Sequence, residues 1–159
     1  MQIISVINQK GGVGKTTTVI NLAAGLSQLN KKILVIDLDP QGNATTGLGL
    51  SNTDNSSDTI YGVLNGTKEI ESVIKNTKFE NLDIVTSNVD LSGLEVETAD
   101  DSNRAFILKT KLAAYLNNSR EIYDYVLIDC PPSLSLLTVM ALVSSNSLLL
   151  PLQTEFFAL

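Results

Sequence analysis

Hydrophobic positions along this chain follow two rhythms. Nearly unbroken apolar runs at 3–7, 33–36, 82–86, 125–128 and 147–152 predict strands, and such runs mark parallel strands covered on both faces. Between them the apolar residues recur at helical spacing. Val19, Leu22, Ala23, Leu26 and Leu29 predict a helix over 15–29, closed by positive charge at Lys31 and Lys32 near its C-terminal dipole. Ile107, Leu108, Leu112 and Leu116 predict a second over 104–116, and 134–143 reads as a buried helix feeding a buried strand at 147–152. Shorter pieces lie between: surface helices at 59–64 and 70–74 parted by Asn65-Gly66, and a short helix at 89–96. The stretch 44–58, rich in Gly, Ser, Thr, Asn and Asp, reads as a loop with room for one helical turn. Strands alternating with helices predict an α/β fold, a doubly wound, mainly parallel sheet with helices on both faces.

The connection after the first strand carries the strongest chemical signal. Lys10-Gly11-Gly12-Val13-Gly14-Lys15-Thr16-Thr17 stands between a strand and a helix, the order a nucleotide-binding loop requires. Glycines let the backbone curl so that several N–H groups face one anion, and the helix adds its positive dipole end there. In that frame Lys15 reaches the β- and γ-phosphates and the Thr16 hydroxyl ligates Mg²⁺. The common G-x-x-x-x-G-K-[ST] pattern is not met, because Gln9 occupies the place of its first glycine and an additional lysine, Lys10, stands at the loop entrance.

Composition narrows the chemistry. The 159 residues suffice for one domain with a real core, and a net charge of −6 gives no overall footprint for nucleic acid. The absence of histidine removes Ser-His-Asp and Cys-His catalysis and histidine metal sites. A single cysteine, Cys130, fits a reducing cytosol, and no leader is apparent ahead of the first strand. The uncharged stretch 130–154 is long enough to span a bilayer, but Ser144-Ser145-Asn146-Ser147 interrupts it and Pro131, Pro132 and Pro151 punctuate it. No membrane association is expected. The acidic residues Glu95, Glu97, Asp100 and Asp101 read as a solvated face, and Tyr115 and Tyr123 as packing residues.

Two further strand ends carry carboxylates. Asp37-Leu38-Asp39-Pro40-Gln41-Gly42-Asn43 follows the second buried strand, and Asp129-Cys130-Pro131-Pro132-Ser133 follows the strand at 125–128. Taken alone, the first is ordinary turn chemistry. Beside a phosphate loop, aspartates at strand ends hold metal-bound waters or orient an attacking water, and Asp129 matches a strand-end carboxylate holding Mg²⁺ through water. The loop resembles the deviant Walker A of the ParA/MinD ATPases, and both aspartate segments are similar to those of the ParA/Soj partition proteins. MinD lacks the Pro-Gln-Gly-Asn part.

That resemblance implies a P-loop NTPase-like domain over 1–159 that binds and hydrolyses ATP with Mg²⁺ to partition chromosomes or plasmids. Asp39 would position the hydrolytic water and Asp37 would support the Mg²⁺ shell. Lys10, otherwise an exposed loop lysine, would reach the phosphates of the opposite protomer in an ATP-dependent sandwich homodimer. The implied partners are a ParB-type protein and non-specific DNA, bound through residues beyond this chain, and the implied location is cytoplasmic and nucleoid-associated. The resemblance covers the whole chain but about the first three-fifths of a family member. Residues 153–159 would begin another helix, so truncation is the expectation. The alternatives are a MinD-like membrane ATPase for cell-division placement, a fragment that binds phosphate without hydrolysis, and an iron–sulfur reductase of the nitrogenase iron-protein type. The last needs two cysteines per chain, and only Cys130 exists.

Overall fold

In the computed structural model, residues 1–51, 55–118 and 123–154 are described. The strands are β1 (Gln2–Val6), β2 (Ile33–Asp37), β3 (Ile74–Asn76), β4 (Leu82–Val85), β5 (Tyr125–Asp129) and β6 (Ser147–Leu149). The helices are α1 (Lys15–Gln28), α2 (Asn43–Gly47), α3 (Ile60–Leu64), α4 (Ile70–Val73), α5 (Leu94–Glu97), α6 (Ile107–Asn118) and α7 (Leu136–Ser144). One sheet runs in the order β3-β4-β2-β5-β1-β6. Every pairing is parallel except β3 with β4.

The apolar runs are continuous because both faces are covered. Ile33, Val35, Ile84 and Leu127 turn to one side and pack with Val19 and Ala23 of α1. Leu34, Ile36, Val126 and Ile128 turn to the other and meet Leu108 and Leu112 of α6 and Met140 and Ala141 of α7. Burying each such side chain contributes about 1.5–3 kcal/mol. A one-residue slip of β2 would exchange its two faces, so the packing also fixes which way Asp37 points.

Several expectations are corrected. The helices at 59–64 and 70–74 are not on the surface: Ile60, Val63, Leu64, Ile70 and Val73 are buried in the α6 side of the core. The second stops at Val73, and Ile74 turns extended to start β3, an antiparallel edge strand that no periodicity announced. The segment 82–86 is therefore the fourth strand. Residues 89–96 divide into a 3-10 stretch, Val89–Gly93, and α5. The helical turn within 44–58 exists as α2, and its Ala44 and Thr45 are buried. Leu29 is 70% exposed, because α1 ends there and Asn30 takes a left-handed conformation. Lys31 and Lys32 lie past the last turn and engage Asp124 and the Tyr123 ring.

The 134–143 helix starts only at Leu136, leaving Leu134 exposed. The strand at 147–152 is short and not buried: Leu148, Leu150 and Leu152 are 49%, 55% and 61% exposed, and among the described residues β6 is an edge strand paired with β1. The predicted helix start falls largely on 155–159, outside the described residues. No helix among the described residues is long and apolar enough to cross a membrane. The acidic residues Glu95, Glu97, Asp100 and Asp101 are exposed, as expected.

At the sheet end away from the strand C-termini, Tyr123 is fully buried and donates its hydroxyl to Asp83 Oδ2 at 2.9 Å, while Asn76 Nδ2 donates to Oδ1 at 2.7 Å. Burial, then Asp83, pushes the Tyr123 phenol well up, so it remains a donor. Tyr123→Phe leaves a buried carboxylate oxygen without that donor and is expected to cost about 1–3 kcal/mol. Urea unfolding reads the loss as a lower midpoint, and an unchanged midpoint would show that Asp83 is satisfied without the phenol.

Candidate functional site

Parallel neighbours in register set three residues side by side. Val6 pairs with Asp129, which also pairs with Asp37, because β5 lies between β1 and β2. Side chains alternate along a strand, so Asp37 and Asp129 share the face of Val35 and Leu127, the face that α1 covers. The segments that follow β1, β2 and β5 therefore open onto one end of the sheet.

The loop after β1 is shaped by glycine where the backbone requires it. Gly12 and Gly14 have φ of 76° and 86°, and a Cβ on either would point into open space. Gly14 caps α1 with no side-chain bond, and no acidic residue sits in the first turn. The first amides of α1 are thus left to an external anion at the positive end of the helix dipole. Lys15 is 7% exposed, and its Nζ donates to Lys10 O at 3.3 Å. Thr16 Oγ1 donates to Asp129 Oδ2 at 2.7 Å. The other oxygen of Asp129, Oδ1, is buried without a hydrogen-bond partner among the described residues.

Behind this row, Asp37 is fully buried. Its Oδ1 accepts from the Asp39 N–H at 3.1 Å, and its Oδ2 accepts from Thr45 N–H at 2.8 Å and Thr45 Oγ1 at 2.7 Å. Asp39 Oδ1 accepts from the Gln41 N–H at 2.9 Å. Burial, then the charge of Asp37, pushes the Asp129 carboxyl up to about 7. Burial likewise raises Asp37 to about 6, with the Thr45 bonds pulling the other way. Burial and Asp129 push the Cys130 thiol well up, so it is an inert strand-end residue.

A cleft of about 400 Å³ is lined by Gly11, Gly12, Gly14, Lys15, Thr16, Thr17, Asp39, Asn43 and Pro132. Most of the predicted residues therefore meet at one place. Four do not line it. Lys10 is half-buried beside it, Val13 is buried, Asp37 lies behind it, reached through Asp39, and Asp129 is fully buried beneath Thr16, which donates to it. Asn43 and Pro132 line the cleft without having been singled out, although both stand in the aspartate segments. Asn8 and Gln153 were also missed. Asn8 accepts from Lys10 N–H at 2.9 Å and donates to Pro151 O at 2.9 Å, and Gln153 Nε2 donates to Gly12 O at 3.1 Å. They tie the glycine loop to the chain after β6.

The donor set fits a phosphate chain with a divalent cation. Amides and Lys15 face the anion, while the unpartnered Asp129 oxygen and the Thr16 hydroxyl offer hard oxygen ligands. Among the described residues no three acidic or thiol groups converge to hold a metal by themselves. A Mg²⁺-sized ion would complete its shell with phosphate oxygens and water.

The family model for the AAA domain matches residues 1–159. The chain is 46% identical over 158 residues to the sporulation initiation inhibitor protein Soj of Bacillus subtilis, covering 99% of this chain and 60% of Soj. This chain belongs to the AAA domain family, with Soj and ParA proteins among its relatives. It is 44% identical to the chromosome partitioning protein ParA of Caulobacter vibrioides, covering 100% of this chain and 58% of that one. It therefore spans about 60% of the length of the ParA/Soj relatives it matches. Among solved structures, cobyrinic acid a,c-diamide synthase from Mycobacterium smegmatis with bound ATP analog and magnesium superposes with a TM-score of 0.90 at 36% identity, covering 100% of this chain and 63% of that one. A putative plasmid partition protein from Borrelia burgdorferi bound to AMPPNP gives 0.81 at 34% identity, covering 99% and 63%. The mainly parallel six-stranded sheet with its helices is the P-loop NTPase-like architecture shared with these structures.

Proposed function

We propose that this chain carries the nucleotide- and magnesium-binding part of a ParA-type ATPase that partitions chromosomes or plasmids. The observation that carries the reading is the meeting of the glycine loop, Lys15, Thr16 and Asp39 around one cleft, with Asp129 bonded to Thr16. Two structural neighbours with different names were both solved with ATP-like nucleotides, which supports ATP as the common occupant. Bound Mg²⁺ would supply charge neutralisation on the phosphates, and Thr16 with Asp129 and Asp37 would support its oxygen shell.

The chain's own groups have separable tasks. The loop amides and the α1 N-terminus bind the phosphates, with Val13 contributing backbone only. Lys15 leaves the Lys10 carbonyl to meet the phosphate charge. Asp39, 7% exposed and lining the cleft, orients water for in-line attack. Lys10, outside the cleft, serves the phosphates of a second protomer, so that ATP promotes a sandwich dimer. A ParB-type partner and non-specific DNA complete the cycle, with DNA contacted by residues outside this chain. The location that follows is cytoplasmic and nucleoid-associated.

Asp39→Ala tests the assignment. The variant is expected to bind ATP within about threefold of the parent while phosphate release falls by roughly 100-fold. Phosphate-release assays and a fluorescent-nucleotide titration in the full-length protein measure the two. Hydrolysis at the parent rate would remove Asp39 from the water-positioning role.

A further inference from the structure

Thr45 has no role in the function just described, yet its side chain joins two separate segments behind the cleft. It is fully buried, like its partners Asp37 and Ser87. Its hydroxyl donates to Asp37 Oδ2 at 2.7 Å and accepts from the Ser87 N–H at 3.0 Å, and its own N–H donates to the same Asp37 oxygen at 2.8 Å. The hydroxyl is thereby spent in both directions, as donor and as acceptor.

Three consequences follow from this placement. First, α2 is capped from a distance: its N-cap is Gly42, which offers no side chain, and the Thr45 amide finds Asp37 instead. Second, the opposite oxygen of Asp37 holds the Asp39 amide, and Asp39 O in turn accepts from the Gly42 N–H at 2.9 Å. The turn that aims Asp39 into the cleft therefore closes on the carboxylate that Thr45 grips. Third, the Ser87 amide lies two residues past the end of β4, so Thr45 is moored next to the sheet independently of α2.

We infer that Thr45 is a positioning residue: its hydroxyl fixes the Asp37 carboxylate against the end of β4 and, through it, the backbone of Asp39. This inference rests on the assignment of Asp39 above for its effect on turnover, but not for its structural content. The residue type suits the task. A β-branched side chain in a helix has few χ1 choices, and valine matches the shape without either hydrogen bond.

The test compares Thr45→Val and Thr45→Ser with the parent in the full chain. In the absence of nucleotide, hydrogen exchange at the Asp39 amide, which Thr45 does not touch, is expected to quicken about tenfold or more in Thr45→Val and to return to the parent rate in Thr45→Ser. With Mg·ATP, Thr45→Val is expected to lower kcat about tenfold with KM within about twofold, and Thr45→Ser to restore it. If Thr45→Val does not fold, Thr45→Cys, with its weak donor, takes its place. Unaltered exchange at Asp39, or a Thr45→Ser variant as impaired as Thr45→Val, overturns the inference. A parent chain inert toward Mg·ATP overturns the proposed function instead, and the exchange measurement then decides the role of Thr45 alone.

Discussion

Lys15→Ala is expected to weaken ATP binding by roughly 100- to 1,000-fold while leaving the fold intact, since charge-assisted bonds of about 1.5–3 kcal/mol each are lost without replacement. The reason is positional. Lys15 opens α1 at the point where no side chain caps the helix and no acidic group sits in the first turn. Its ammonium is nearly buried and, among the described residues, donates to a backbone carbonyl, Lys10 O, at 3.3 Å. That neutral contact is a modest anchor, so the ligand-free alanine variant is expected to melt within a few degrees of the parent. Equilibrium titration with a fluorescent ATP analogue reads the affinity and circular dichroism reads the fold. Parent-like affinity in a folded variant would place the phosphates elsewhere.

Asp129→Asn is expected to act in opposite directions on stability and on binding. Asp129 and Asp37 are neighbouring carboxyls on adjacent strands, both raised from 3.8, to about 7 and about 6, with burial the first cause for each. The native chain therefore holds these protons more tightly than the unfolded chain does. Stability is fully present below the unfolded value near 3.8 and is lost as pH rises through the folded values of about 6 and 7. Asparagine carries no charge to bury and can still accept from Thr16. The ligand-free variant should gain about 1–3 kcal/mol at about pH 8, and much less at about pH 5. The same change removes a cation-binding oxygen, so the Mg²⁺-dependent increment in nucleotide affinity should disappear. Urea melts at the two pH values and a Mg²⁺ titration check both halves. A variant less stable than the parent at the higher pH would mean that the buried charge is compensated within the protein.

The central sheet and most of the cleft were legible because their signals are local. The runs at 33–36 and 125–128 are apolar on both faces, and each runs straight into its aspartate. The glycine loop is legible for the same reason, since positive φ at Gly12 and Gly14 leaves a mark in residue type. β3 was not legible. It is three residues long, directly abuts α4, and gains its conformation from β4 rather than from its own pattern. The burial of α3 and α4 was hidden by their shortness, which leaves too few apolar positions to define a face. Thr45 left no trace because its partners lie 8 and 42 residues away. Asn8 and Gln153 act across 143 and 141 residues, and only the fold makes them neighbours.

The interior place of β5 has a consequence for biogenesis. Its two flanking strands, β1 and β2, are complete by residue 37, but the strand that joins them begins at Tyr125. Until the ribosome has released that stretch, a vacancy one strand wide separates the phosphate loop from the Asp37 turn. Closure of so long a loop is slow and exposes apolar edges meanwhile. A nascent chain stopped short of Asp129 would possess the glycine turn yet lack the carboxylate beneath Thr16, so the pair of oxygens that Thr16 and Asp129 offer comes together only once the middle strand is in place.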